Sequence, residues 1–123
     1  MSTIHLIVPA DIHHVGLVRS TAAHVAAYAD LTIDHIADLR LAIDEAYSIV
    51  LGQNPSSGEI KISFTQIEAG LVVQLVGPDG VSAPDQNSWA WTILNALVNN
   101  IDVQTSPNGS VTIVLETKVV TSA

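Results

Sequence analysis

The chain has 123 residues and a formal net charge of −8, with twelve acidic and only four basic residues. Proteins that bind DNA or RNA normally need a basic face to neutralise phosphates, so direct nucleic-acid binding is not expected. Cysteine is absent, which excludes disulfides and thiolate metal sites. The acidic surface instead favours a basic protein partner, mainly through a faster association rate.

Hydrophobic residues make up 48% of the chain, so we expect one domain, spanning residues 1–123, with a packed core. No apolar run approaches the roughly 18 residues of a membrane span. The first residues lack the basic segment of a signal peptide. A cytoplasmic protein is therefore expected.

The first predicted elements are a strand, Thr3 to Val8, and a helix that is capped by Asp11 and runs to about Ala29. Pro9 stops the strand, and the short side chain of Asp11 can accept from the first free N–H groups of a helix. Apolar residues recur along one side of this helix, at Ile12, Val15, Val18, Ala22, Val25, Ala26 and Ala29. This side is predicted to face the core.

A second row of residues, here called the outer row, lies on the other side of the first helix: Leu17, Thr21, His24 and Tyr28. An outward row of apolar and aromatic residues is either a second core face or a contact surface for a partner. Arg19 lies between the two sides, where it is either a contact residue or an ordinary solvated charge. His13 and His24 are too far apart for one metal ion, so these and His14 are interpreted as surface histidines.

The clearest helix is predicted from Asp34 to Leu51. Its apolar residues recur at the spacing of a buried helix face: Ile36, Leu39, Ile43, Ala46, Tyr47 and Val50. Thr32 or Asp34 can cap its start, and Gly52 can form a left-handed C-cap.

Two acidic residues of this helix, Asp44 and Glu45, are candidates for an ion pair and for a catalytic role. Asp44 lies four residues after Arg40, so the two are expected to form an ion pair. Glu45 lies nearly opposite the apolar face. It is either a solvated acid or a general base that lines a pocket.

The remaining predicted elements form two strand hairpins around a third helix. In chain order they are a loop (53–58), strands 59–68 and 71–76, a loop (77–87), helix 88–100, and strands 101–105 and 110–120. Turn signals at Ala69–Gly70 and Pro107–Gly109 close the hairpins. The order β-α-α-β-β-α-β-β predicts an α+β fold: a two-layer sandwich whose mostly antiparallel sheet is covered on one face by helices.

Two stretches, LRLAIDEAYSIVL (39–51) and SWAWTILNALVNNIDVQ (88–104), carry a family likeness. They resemble the small anti-sigma-factor serine kinases of bacterial stress and sporulation control, which have the GHKL (Bergerat) ATPase fold. The likeness is strongest to the actinobacterial anti-sigma members and covers nearly the whole chain. It implies a histidine-kinase-like ATPase domain, an alternative sigma factor as partner, a competing anti-anti-sigma protein of STAS type, and a homodimer.

The resemblance also assigns the parts of a nucleotide site, beginning on the second helix. Family members carry a glutamate there as general base, and an asparagine one turn later that holds Mg²⁺. Glu45 matches the base. Ile49 stands at the metal-binding position and offers no oxygen ligand.

Two further parts of the family site are altered in this chain. The aspartate that reads adenine falls on Gly77, although Asp79 lies two residues later and could take a shifted role. The Gly-rich phosphate loop at the start of the third helix is replaced by Ser88, Trp89, Ala90 and Trp91. Phosphates need close backbone N–H groups, which bulky indoles obstruct.

These losses favour an anti-sigma factor that works without nucleotide chemistry, with no ATP, Mg²⁺ or other metal bound. Glu45 is then a remnant of the kinase base, and Arg19 matches an arginine of the family's partner surface. One of Trp89 and Trp91 is expected to fill the core where ATP would sit, unless it anchors a partner. The alternatives are a Ser/Thr kinase of an anti-anti-sigma protein that uses Glu45 and Asp79 with Mg-ATP, and a non-enzymatic scaffold for another regulator.

Overall fold

The computed structural model describes residues 2–52, 58–85 and 87–119. Its elements are β1 (Thr3–Pro9), a 3-10 turn (Ile12–His14), α1 (Val15–Tyr28), α2 (Ile33–Leu51), β2 (Glu59–Ile67), β3 (Gly70–Val76), α3 (Trp89–Leu97), β4 (Asn100–Thr105) and β5 (Val111–Lys118). The predicted order is confirmed, with the 3-10 turn added. Most of the predicted loop 53–58, and the predicted end of the last strand at Val120, lie outside the described residues. No helix in the described ranges is long and apolar enough to cross a bilayer.

The five strands form one sheet in the order β1-β2-β3-β5-β4, and every neighbouring pair is antiparallel. Phe64 lies opposite Val73, which lies opposite Leu115, and all three are buried on one face. Helices α1 and α2 pack on this face. On the other face Lys61 and Gln74 are exposed. The predicted two-layer α+β sandwich is therefore confirmed, as are both hairpins.

Helix α2 follows its predicted pattern closely. The Thr32 hydroxyl accepts from the backbone N–H of His35 at 3.1 Å, which identifies Thr32 as the N-cap. Gly52 ends the helix with φ at 78°, a left-handed value that costs glycine little. The buried residues of the helix are Leu39, Ala42, Ile43, Ala46, Tyr47, Ile49, Val50 and Leu51.

The start of α1 differs from the prediction. The Asp11 carboxylate does accept from the His13 N–H at 2.9 Å, but it caps the 3-10 turn, and the α-helix begins only at Val15. The tighter turn changes the side-chain directions. Ile12, predicted to be buried, is consequently 49% exposed.

Two other predictions were wrong in detail. Asp44 pairs with Arg19 of α1, not with the exposed Arg40, because the packing of α1 on α2 brings Arg19 to it. The third helix ends at Leu97: Val98 is extended, and Asn100 already pairs with Glu116 in the sheet. Strand pairing here outweighs the helical pattern that continues in the sequence.

Candidate functional site

Helix α2 places Glu45 and Ile49 one turn apart in different surroundings. Glu45 is half-buried. Ile49 is only 9% exposed and belongs to the continuous hydrophobic core. The position one turn after the acid is therefore filled by apolar packing, and its side chain has no atom that could ligate a hard cation.

Gly77, at the end of β3, lies against the backbone of α2. A Cβ added to Gly77 would lie 2.1 Å from the carbonyl oxygen of Val50 and 2.8 Å from its carbonyl carbon. The Gly77 N–H donates to the carbonyl of Val111 at 3.0 Å, which fixes the backbone from the other side. In this backbone arrangement, position 77 has no room for any side chain, including a carboxylate.

The segment after β3 packs against the core through Val81 and is hydrogen-bonded to the indole of Trp91 through Pro84. Trp91 is 5% exposed, and its Nε1 donates to the carbonyl of Pro84 at 3.2 Å. Val81 packs against the core and against Gly52, where an added Cβ would lie 2.9 Å from its side chain. Trp91 is thus the indole that fills the core, as predicted for one of the pair, whereas Trp89 is 74% exposed.

No glycine lies in the first turn of α3 or in the segment just before it, residues 81–91. Ser88 occupies the N-cap position with extended backbone but makes no side-chain cap hydrogen bond. Its Oγ is buried without a hydrogen-bond partner among the described residues. Ala90 packs against the core.

Asp79 lines a cavity of about 450 Å³ that opens beyond the ends of β2 and β3. The lining consists of Gly58, Glu59, Lys61, Val76, Gly77, Pro78, Asp79 and Ser110. Lys61 lies on the sheet face that the helices leave uncovered. Glu45 is not part of this lining, so the cavity does not bring Asp79 and Glu45 together.

The outer row of α1 is exposed. Tyr28 is 79% exposed and Leu17 is 51% exposed. His24 is also exposed, and the half-buried Thr21 donates its hydroxyl to the carbonyl of Leu17 at 2.8 Å. The row therefore does not form a second core face, which was one of the two alternatives left by the sequence.

A cavity of about 200 Å³ continues the outer row onto the sheet. It is lined by Ser2, Ile4, His24, Val25, Tyr28, Phe64 and Gln66. Sequence reasoning missed the contribution of Ile4. The signal was the alternation in β1, which puts Ile4 on the same face as Val8. Unlike Val8, Ile4 is 46% exposed.

Arg19 and Asp44 connect α1 to α2. Arg19 Nη1 donates to Asp44 Oδ2 at 3.2 Å, and the two side chains are 36% and 38% exposed. Asp44 Oδ1 is buried without a hydrogen-bond partner among the described residues. This pair was also missed, because no local spacing in the sequence indicates it.

Two groups near the start of α1 have shifted pKa values. Hydrogen bonds from the His13 backbone and side chain lower the pKa of Asp11. Burial raises the pKa of Tyr47, whose hydroxyl donates to the carbonyl of Asp11. Within the described ranges, no three histidine, aspartate or glutamate side chains converge as metal ligands.

The relatives found by comparison with known proteins carry the name RsbW. No family model matches the chain. The anti-sigma-F factor RsbW of Mycobacterium tuberculosis is 28% identical over 109 residues, which are 86% of this chain and 62% of that protein. The serine-protein kinase RsbW of Bacillus subtilis is 34% identical over 82 residues, which are 64% of this chain and 51% of that protein. The chain thus spans about half to three fifths of these curated relatives.

The fold is shared with a solved structure. The crystal structure of the RsbU and RsbW domains of a Mycobacterium tuberculosis protein matches with a TM-score of 0.74 at 18% identity. The match covers 96% of this chain and 32% of that one. The chain is thus similar in sequence to an anti-sigma factor and a serine-protein kinase that are both named RsbW, and it has the fold of a structure that contains an RsbW domain.

Proposed function

We propose that this chain is an anti-sigma factor that sequesters an alternative sigma factor, is countered by an anti-anti-sigma protein that competes for it, and works without nucleotide chemistry. The observation that carries the proposal is the exposed outer row of α1. Large side chains such as Tyr28 and Leu17 stay in solvent on the helix that also carries the partly exposed Arg19, as expected of a surface completed by a partner. The Mycobacterium tuberculosis relative is itself named an anti-sigma-F factor.

Packing at the family's nucleotide positions supports the second half of the proposal. Ile49 and Trp91 belong to the core, and the Val50 carbonyl occupies the space beside Gly77. A nucleotide would have to displace buried apolar groups at these positions, which costs stability. The alternative is a serine/threonine kinase, because the Bacillus subtilis relative is named as one.

Binding is tested with a panel of the host's purified alternative sigma factors, measured by calorimetry. Leu17→Ala is expected to weaken the complex about tenfold or more, because a well-packed anchor at an interface contributes about 1.4 kcal/mol or more. Ile7→Ala is the matched control. The exposed fraction of Ile7, 55%, is similar to the 51% of Leu17, but Ile7 lies on the uncovered face of the sheet. Equal effects of the two variants, or no binding by any sigma factor, would contradict the proposal.

Nucleotide independence is tested by thermal unfolding with and without millimolar Mg-ATP. We expect no change in melting temperature. A ligand present at 100 times its Kd would add about 2.7 kcal/mol to the free energy of unfolding, which is easily measured. ATP with excess EDTA is the control. A Mg-dependent rise would contradict nucleotide independence, and its loss in Asp79→Asn would assign Asp79 to the nucleotide site that the kinase alternative requires.

A further inference from the structure

The Arg19 side chain lies over Gly16 of its own helix and pairs with Asp44 of α2. Nη1 donates to Asp44 Oδ2 at 3.2 Å, and Nη2 lies 3.5 Å from the position of a Cβ added to Gly16. Gly16 precedes Arg19 by one turn, so the guanidinium lies back along α1, as long helical side chains usually do. The absence of a side chain at Gly16 leaves room for the guanidinium, and the ion pair with Asp44 of α2 sets its direction.

This ion pair does little for the stability of the fold. Both side chains are more than one third exposed, and exposed pairs contribute little because solvent screens them. The other carboxylate oxygen of Asp44 is buried without a hydrogen-bond partner among the described residues, which is unfavourable. The geometry therefore points to a role other than holding α1 on α2.

The paired guanidinium remains accessible to a partner. A guanidinium has five N–H donors. One of them, on Nη1, donates to Asp44 Oδ2. The side chain is still 36% exposed, so an oxygen acceptor on a partner can reach it without breaking the pair. An arginine that is already oriented loses less entropy on binding than a free one.

We propose that Asp44 is a positioning residue for the partner surface: it holds the Arg19 guanidinium in the direction in which a partner's carboxylate or carbonyl oxygen meets it. This rests on the proposed function, in which Arg19 belongs to the partner surface. It adds a residue of α2 to a surface so far built from α1. Asp44 acts through Arg19 and need not touch the partner.

The free protein tests the first half of this inference without any partner. Nitrogen relaxation of the arginine Nε–H groups reports how ordered each side chain is, and Arg40, which is exposed, is the internal reference. Arg19 is expected to be more ordered than Arg40. Asp44→Ala should abolish the difference, and Asp44→Asn, which keeps an acceptor oxygen, should restore part of it. If Arg19 is as mobile as Arg40 in the unmodified protein, the inference is overturned.

A double-mutant cycle tests the second half, using the sigma factor that binds in the calorimetric panel. Asp44→Ala should weaken the complex about two- to tenfold, the cost of ordering one long side chain. In the Arg19→Ala background the same change should have no effect, since there is no guanidinium left to orient. The melting temperature of Asp44→Ala should stay within about 2 °C.

The outcomes separate the two proposals. If Arg19→Ala binds normally, or no sigma factor binds, the proposed partner surface is wrong. If Arg19→Ala weakens binding but Asp44→Ala does not, only the positioning role is overturned. Tighter binding by Asp44→Ala would also overturn it, because Asp44 would then compete with the partner for Arg19.

Discussion

Two regions of this molecule use apolar side chains in opposite ways. Around α2 and α3, Ile49 and Trp91 are buried in the core, with 9% and 5% of their surface exposed. Along α1, Leu17 and Tyr28 remain in solvent. Packing has closed the first region and made it part of the core, whereas the large side chains of the second are exposed. Changes in the first should therefore affect the stability of the fold, and changes in the second should affect binding.

The largest expected effect comes from reopening the closed region at its indole. Trp91→Ala removes a 5% exposed side chain and its hydrogen bond to Pro84. Removing a buried tryptophan side chain typically costs about 3–5 kcal/mol, so we expect a loss of that size in the free energy of unfolding by urea. Trp89→Ala is the control, because its 74% exposed side chain should change stability by about 0.5 kcal/mol or less. Similar losses for both would show that the region is not closed by Trp91.

A somewhat smaller effect is expected from placing a carboxylate at Gly77, the position to which the resemblance assigns one. In Gly77→Asp the new Cβ meets the Val50 carbonyl at 2.1 Å, so either α2 or β3 must move. Overpacking of this kind costs about 1–3 kcal/mol, and more where backbone is displaced. The variant should be less stable in urea and should still gain no stability from Mg-ATP.

Gly80→Asp provides the matched comparison for Gly77→Asp. An added Cβ at Gly80 meets nothing within 4 Å, but its φ is +84°. We expect a loss of about 1 kcal/mol from the left-handed backbone alone. If Gly77→Asp is no worse than Gly80→Asp, the space beside Gly77 is not blocked, and a restored nucleotide site becomes feasible.

The sequence predicted those features that depend on nearby residues. The periodicity of α2 identified its buried face, because the helix presents one face to a single core. Thr32 and Gly52 marked the ends of α2 through capping, which is also local. Family resemblance pointed to Ile49 and Gly77 as altered positions.

Features decided by distant contacts could not be predicted in this way. Asp44 lies four residues from Arg40, yet it pairs with Arg19, 25 residues away, because only the packing of α1 on α2 selects the partner. The helical pattern after Leu97 is interrupted because Asn100 pairs with Glu116 of β5. Likewise, the family resemblance implies that a carboxylate is missing at Gly77, but only the structure shows that the Val50 carbonyl leaves no room for one.

The smallest expected effect concerns the polar contact that joins the two regions. Tyr47 of α2 is fully buried, and its hydroxyl donates to the carbonyl of Asp11, just before α1. Tyr47→Phe removes this hydrogen bond and should lower the free energy of unfolding by about 1 kcal/mol at neutral pH. Tyr28→Phe, at the exposed end of α1, is the control and should leave it unchanged.

The raised pKa of Tyr47 also predicts how the free energy of unfolding changes with pH. Burial raises the pKa of Tyr47 above its ordinary 10.0, so the unfolded chain loses the phenol proton at a lower pH than the folded chain does. The stabilisation by Tyr47 is therefore fully present below about pH 10 and is lost as pH rises through the folded-state pKa. In urea unfolding between neutral and strongly alkaline pH, Tyr47→Phe should lose less stability than the unmodified protein. Parallel curves would mean that Tyr47 ionises equally easily in both states, so that burial does not raise its pKa.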